Sequence, residues 1–286
     1  MIATFVLFLR EGLEASLIVS ILFAALRQLG QMEKARAVWF GVGAAILAAL
    51  GGGVILYLTI REYDGSTFQT VFETITYFVA VVLLTTMTFW MQKHSRSLKR
   101  EIIAKAGLAG SGLTLGLLAF STVGREGLET AVFTLAFAFQ TNGALLLLGA
   151  SLGLLASVGL SFLVYKLGYK LDFRVFFRVM GILLLFFAAG LLGDAIQNMQ
   201  ELGWLSFATT PMWNTAHILP ESSTVGDILH AFLGYAEAPT ILQGIFYVAY
   251  LVVAGSLFAW LTRKPGVPPS APSVKTSANG QIHSQA

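Results

Sequence analysis

The chain has 286 residues, 56% of them hydrophobic and only 12% charged, with a mean hydropathy of +0.75. Soluble domains carry about twice that charged fraction, so a soluble enzyme or nucleic-acid-binding module is excluded in favour of a polytopic membrane protein. The net charge of +3 informs only through its distribution, and the absence of cysteine removes disulfides, thiolate metal sites and thiol redox chemistry.

Seven apolar runs are long enough to cross a hydrocarbon layer of about 30 Å: 3–27, 37–60, 70–91, 109–138, 143–165, 176–199 and 240–262. The first lacks a basic n-region and a small-residue cleavage site, and carries Arg10 and Glu11 within it. It is therefore expected as a retained helix. Basic residues gather after alternate spans: Arg27, Lys34 and Arg36 after the first, Lys93, Arg96, Lys99, Arg100 and Lys105 after the third. Lys166, Lys170, Arg174 and Arg178 follow the fifth, and Arg263, Lys264 and Lys275 the seventh. The positive-inside rule then puts these loops in the cytoplasm, the N-terminus outside and the C-terminus inside.

The opposite face collects Glu62, Asp64, Glu73, Asp194, Glu201, Glu221, Asp227 and Glu237. An acidic mouth concentrates cations; equally, acids populate the side from which basic residues are excluded. The loop 200–239, broken by Pro211, Pro220 and Pro239, is expected to form short interfacial helices or a cap, with Trp204 and Trp213 at headgroup level. Residues 263–286 read as a disordered cytoplasmic tail, leaving a transmembrane domain over 1–262.

Two copies of one charged motif lie inside apolar spans: Arg10-Glu11-Gly12-Leu13-Glu14 and Arg125-Glu126-Gly127-Leu128-Glu129. A charge at membrane depth costs about 2.5–3.5 kcal/mol on insertion scales, so six of them in a repeated order point to transport. The motifs stand 115 residues apart, each in the first span of a three-span block, about 3–91 and about 109–199. Three is odd, so the second block enters from the opposite side. The expected fold is all-α: a 3+3 inverted-topology repeat plus a seventh helix, with a site near the bilayer midplane. Arg10 lies about 10 Å from the outer end of its span and Glu129 about 14 Å from the outer end of its own, so the motifs reach similar depth.

Within each motif the arginine and both glutamates share one helix side through i,i+3 and i,i+4 spacing. Gly12 and Gly127 permit close approach of a neighbouring helix. Four carboxylates against two guanidiniums leave an excess of negative charge that a multivalent cation neutralises, and oxygen ligands favour hard ions such as Fe3+, Mg2+, Ca2+ or Mn2+. The competing reading, buried ion pairs that fix helix packing, accounts for one acid per arginine but not two. A cation channel with a carboxylate ring is the alternative mode of transport. An intramembrane hydrolase lacks a nucleophile or histidine ligand set in the spans. No nucleotide-binding motif occurs.

The paired motifs resemble the R-E-x-x-E signature of the oxidase-dependent iron permeases, over about residues 1–262. The resemblance implies import of Fe3+ or Fe2+ across the cytoplasmic membrane, with iron as substrate and no permanently bound cofactor. By motif position, Glu11, Glu14, Glu126 and Glu129 handle the ion and Arg10 and Arg125 are their ion-pair partners; a carrier for Mn2+ or Mg2+ is the alternative. Relatives work with an extracytoplasmic iron-binding protein, peroxidase or oxidase. Phe72-Glu73 and Tyr235-Ala236-Glu237-Ala238-Pro239 are similar to bacterial members.

Glu73, Asp194, Glu201 and Glu237 are candidates for an entry relay. Asp194, Gln197, Asn198 and Glu201 form an i, i+3, i+4, i+7 stripe, which an ordinary helix end at the headgroups also explains. His217 and His230 in the outer loop are candidate metal ligands, though lone loop histidines are more often solvated. Thr85, Thr86 and Thr88 are expected to bond back to their own helix or to pack against neighbours. Gly51-Gly52-Gly53 suggests a close helix crossing or a flexible point.

Overall fold

A computed structural model describes residues 1–61, 65–94, 98–109, 111–167 and 173–262. The expectations for Glu62, Asp64, Arg96, Lys170 and the tail 263–286 fall outside the described residues.

Among the described residues every regular element is helical, beside one isolated bridge between Pro211 and Thr240. The long helices are α1 (Ile2–Gln28), α2 (Ala35–Arg61), α3 (Thr67–His94), α5 (Gly112–Gln140), α6 (Gly143–Leu167), α7 (Phe173–Glu201) and α9 (Ile241–Thr262). Five of them, α2, α3, α6, α7 and α9, are long and apolar enough to cross a membrane. Helices α1 and α5 are as long, at 27 and 29 residues, and differ in carrying the charged motifs at mid-length.

Two short α-helices and a 3-10 turn at Met32–Lys34 complete the described residues. Helix α4 (Leu98–Leu108) occupies what the hydropathy pattern assigns to a basic loop. Its Ile102 and Ala106, one turn apart, are buried against the lower half of α1. A search for spans passes over so short an amphipathic helix. Helix α8 (Thr224–Leu233) starts at Ser223, whose side chain accepts from Gly226 N, and stops at Gly234, whose φ of 62° suits glycine. It packs on α7 and α1, in the segment expected to supply a cap. Helix α5 begins three residues later than expected because Ser111 caps it, accepting from Thr114 N.

The principal packing pairs are α1 with α6, α2 with α5, α3 with α7 and α7 with α9, while α1 also meets α5. Small residues set the tightest contacts. A Cβ built on Gly12 would lie 2.3 Å from Ser157 Oγ of α6, and one on Gly127 would lie 2.7 Å from Ala49 Cβ of α2. Gly41 of α2 faces the Gly116 carbonyl oxygen of α5 at 2.1 Å from such a Cβ; Gly149 of α6 faces that of Met1 at 2.2 Å. These contacts correspond in register: Met1 and Gly116 are 115 positions apart, as the motifs are, while Gly41 and Gly149, like Ala49 and Ser157, are 108 apart.

Of the triple glycine of α2, only Gly53 meets a neighbouring helix, with a built Cβ 3.8 Å from Ala131 Cβ of α5; Gly51 and Gly52 have nothing within 4 Å, and the helix runs through all three. Gly41→Ala is therefore expected to cost about 1–3 kcal/mol, since backbone cannot move aside. Gly43→Ala, with open space around it, should be neutral or stabilising by about 0.5–1 kcal/mol. Thermal unfolding in detergent distinguishes them.

One core cluster fills the space between the Met1 end of α1 and helices α3, α5 and α7, with Val6, Leu7, Phe133, Leu184 and Phe187 at its centre. Phe187 stacks edge-on against Phe137 at 6.1 Å and Phe232 of α8 at 5.5 Å. A second cluster joins α1, α2, α4 and α5 at the Gln28 end.

Candidate metal centre

Each motif sits at mid-helix, and the meeting of α1 with α5 brings the two together. Glu11, Glu14 and Glu126 each offer a carboxylate oxygen within 4.8 Å of the others. Oxygens on opposite sides of one hard cation, each about 2.0–2.6 Å from it, are about 4–5 Å apart, so the spacing suits a single ion. All four motif glutamates are buried. Glu129 stands outside the closest three, with its Oε1 2.9 Å from Arg125 Nε.

The two arginines are not equivalent. Arg10 is 2% exposed and reaches both of its acids, with Nη1 2.8 Å from Glu11 Oε1 and Nε 3.0 Å from Glu14 Oε1. The Arg125 side chain is 47% exposed; it holds Glu129, lies 4.0 Å from Glu126 and rests its guanidinium 4.9 Å from the Trp90 ring centroid.

Glu11 Oε2, Glu126 Oε2 and Glu129 Oε2 are buried without a hydrogen bond, as is the donor Arg10 Nη2, while Glu14 Oε1 meets Arg10 Nε at 3.0 Å. A buried oxygen without a donor is costly, and three in one place are the arrangement a cation relieves. Nearby hydroxyls do not serve them: Thr130 donates to Glu126 O and Thr134 to Thr130 O, both along their own helix. Of the α3 threonines, Thr85 and Thr86 bond back as expected, to Val81 O and Val82 O, whereas the buried Thr88 hydroxyl has no partner.

A separate polar cavity of about 610 Å³ opens where α3, α5 and α7 meet the 200–239 segment. Asp194, Gln197, Asn198, Glu221, His230 and Glu237 line it, together with Tyr77 and Gln140. Of the residues expected as an entry relay, Asp194 and Glu237 are here. Glu201 is exposed and takes Gln197 Nε2 at 3.1 Å; Glu73 takes Gln69 Nε2 at 2.9 Å.

His230 is not the solvated loop residue that the sequence suggests. It lies on α8, and its Nδ1 is 2.8 Å from Tyr235 O and 3.0 Å from Glu221 Oε1. Two acceptors require that nitrogen to carry the proton, which turns Nε2 toward Asp194 Oδ2 at 3.7 Å. Glu237 Oε2 accepts from Glu221 N at 2.9 Å and so braces the same wall. Sequence reasoning missed Glu221 as a site residue and did not link His230 to Asp194, because only the folding of α8 and its flanks onto α7 brings them together. His217 is exposed.

Comparison with known proteins agrees with the motifs. The model of the iron permease FTR1 family matches residues 1–263. The chain belongs to the FTR1 iron permease family. The protein named ferrous iron permease EfeU from Shigella sonnei (strain Ss046) is 36% identical over 264 residues, spanning 91% of this chain and 95% of that one. Proteins of the same name from Yersinia pseudotuberculosis serotype I and Yersinia pestis are 36% and 35% identical, each over 90% of this chain and 93% of the relative. No solved structure matches the chain at a significant level. FTR1 membership makes this a multi-pass membrane permease for iron and not an enzyme, with the metal as cargo.

Proposed function

We propose that the chain imports iron across the cytoplasmic membrane by binding it between α1 and α5 on Glu11, Glu14 and Glu126, with Glu129 as the fourth acid and Arg10 and Arg125 holding the set in place. The observation that carries this is the convergence of three acids within 4.8 Å, with Glu11 and Glu126 each keeping a buried oxygen that lacks a donor. All-oxygen ligation favours hard cations, and the relatives' name, ferrous iron permease, makes Fe2+ the first ion to test.

The scaffold is seven spans, α1, α2, α3, α5, α6, α7 and α9, with the N-terminus outside. The first six form two inverted three-helix repeats, and α9 stands apart. Packing of α1 on α6 mirrors that of α5 on α2. The matched contacts of Gly41 with Gly116 and Gly149 with Met1 support the same two-fold relation.

Iron enters at the cavity lined by Asp194, Glu221, His230 and Glu237, which receives it from an extracytoplasmic iron-binding or oxidase-type partner; Glu73 and Glu201 extend the acidic approach. The apolar cluster around Phe133, Phe137 and Phe187 lies between that cavity and the carboxylates. Such a seal supports an alternating carrier over an open pore. Protonation of the crowded acids compensates for the departing metal, so collapse of the proton gradient should slow uptake; unchanged uptake would remove that step.

Proteoliposome uptake of Fe2+, Fe3+, Mn2+, Mg2+ and Zn2+ tests the assignment. Saturable iron uptake with little Zn2+ uptake is expected; equal uptake of Zn2+ would contradict a carboxylate-only site. His230→Ala should raise the half-saturating iron concentration and leave the maximal rate intact, because it removes a capture ligand and none at the central site.

A further inference from the structure

The two halves of the site differ in what lies beside them. On α1, the positions one to two turns before Arg10 are Ala3, Val6 and Leu7, all buried in the core cluster. Shifted by 115 residues, the corresponding positions on α5 are Leu118, Ser121 and Thr122, and Ser121 is exposed. With Thr114 and Ser111 these hydroxyls follow one face of α5, at about 100° per residue, from Arg125 to the start of the helix. None of them reaches another helix: Ser121 and Thr122 donate to Leu118 O, and Ser111 pairs with Thr114.

Among the described residues, helix lengths leave that face uncovered. Trp90 meets Arg125 only four residues before α3 ends at His94. Thr88 and Phe258 flank Gly181, which is eight residues from the start of α7, and Phe258 is four residues from the end of α9. At 1.5 Å per residue, α3 and α9 continue about 6 Å beyond the carboxylates and α7 about 12 Å. Helix α5 runs 13 residues past Arg125 and α1 14 past Glu14, about 20 Å each. The exposed Lys93, three residues beyond Trp90, requires water or headgroups at that level, since its charge is expensive in hydrocarbon. Arg125, half exposed at mid-helix, makes the same demand.

We infer that the structure is open to the cytoplasm along the hydroxyl face of α5, and that this face, from Ser121 to Ser111, is the exit path for the metal, with Trp90 as the residue gating it. The inference rests on the iron-permease reading and adds the route and the state. On release, Trp90 swings off the Arg125 guanidinium while Arg125 stays paired with Glu129, so the cation passes a neutralised arginine. Hydroxyls that bond back to their own helix keep a lone pair turned outward and offer a hydrated ion weak, replaceable contacts.

The native chain has no cysteine, so single cysteines can be labelled with a charged, membrane-impermeant thiol reagent in intact chains. Ser121→Cys should be modified fully, and only from the side on which a loop marker, Glu33→Cys, is modified. Leu117→Cys, on the apolar edge of α5, and Val6→Cys, in the core, should remain unmodified. No modification of Ser121→Cys would mean that the face lies against lipid; modification from the side opposite Glu33→Cys would mean that it opens the other way. Either result overturns the inference. Labelling needs no metal, so it can fail while iron uptake succeeds, and the side on which Glu33→Cys reacts tests the proposed topology separately. Trp90→Ala should speed unloading of pre-bound iron while Trp90→Phe preserves the wild-type rate; equal rates in all three would remove the gate.

Discussion

Glu14→Gln should abolish saturable iron uptake while the protein still assembles and unfolds at nearly the wild-type temperature. Glu14 is one of the three converging acids, and its buried Oε1 lies 3.0 Å from Arg10 Nε. The amide keeps the volume and can still accept from Arg10, so the packing survives, but the charge that a hard cation requires is gone. Loss of an outer-shell partner alone costs about 10–100-fold in metal affinity, and loss of a direct ligand should exceed that. Glu126→Gln should behave alike from the other helix. Glu129→Gln should be milder, because Glu129 lies outside the closest three and its first task is to hold Arg125. Half-saturation for Fe2+ in proteoliposomes separates these outcomes; equal, small effects at all three positions would dissolve the site.

Arg10→Met and Arg125→Met should differ in stability. Arg10 is almost wholly buried and is the cation shared by Glu11 and Glu14. Removing it strands two acids in the interior, and breaking a buried ion pair from one side costs about 3–5 kcal/mol. Arg125 is half exposed but holds the buried Glu129, so its loss should cost less than that of Arg10, about 1–3 kcal/mol for one buried acid left unpaired. Thermal unfolding in detergent measures both. A second change, Glu11→Gln, should restore much of what Arg10→Met loses, since it removes one of the stranded charges. Equal destabilisation by the two arginine substitutions would mean that the repeats are buried alike.

The long helices were legible because hydropathy, the basic loops and the i,i+4 spacing of the motifs act over many residues at once. The predicted spans 37–60 and 240–262 became Ala35–Arg61 and Ile241–Thr262, with end errors of up to three residues, as at Thr67, Phe173 and the capped start after Ser111. Convergence of the motifs was legible from their order and matched depth. What escaped depends on contacts that no local pattern encodes. Helix α4 is too short for a hydropathy window. His230 gains its partners because α8 packs on α7 and Gly234 turns Tyr235 back onto it. The inequality of Arg10 and Arg125 comes from their different burial in the packed helices, and two identical pentapeptides carry no trace of it.

The central claim is that one hard cation sits among Glu11, Glu14 and Glu126. A metal-loaded structure, with the ion located by anomalous scattering from iron or manganese, tests it most directly. The account predicts a single strong peak between α1 and α5, about 2.0–2.6 Å from an oxygen of each of the three acids. A metal bound only at the Asp194–His230 cavity, with the motif carboxylates vacant under conditions that saturate uptake, would contradict it.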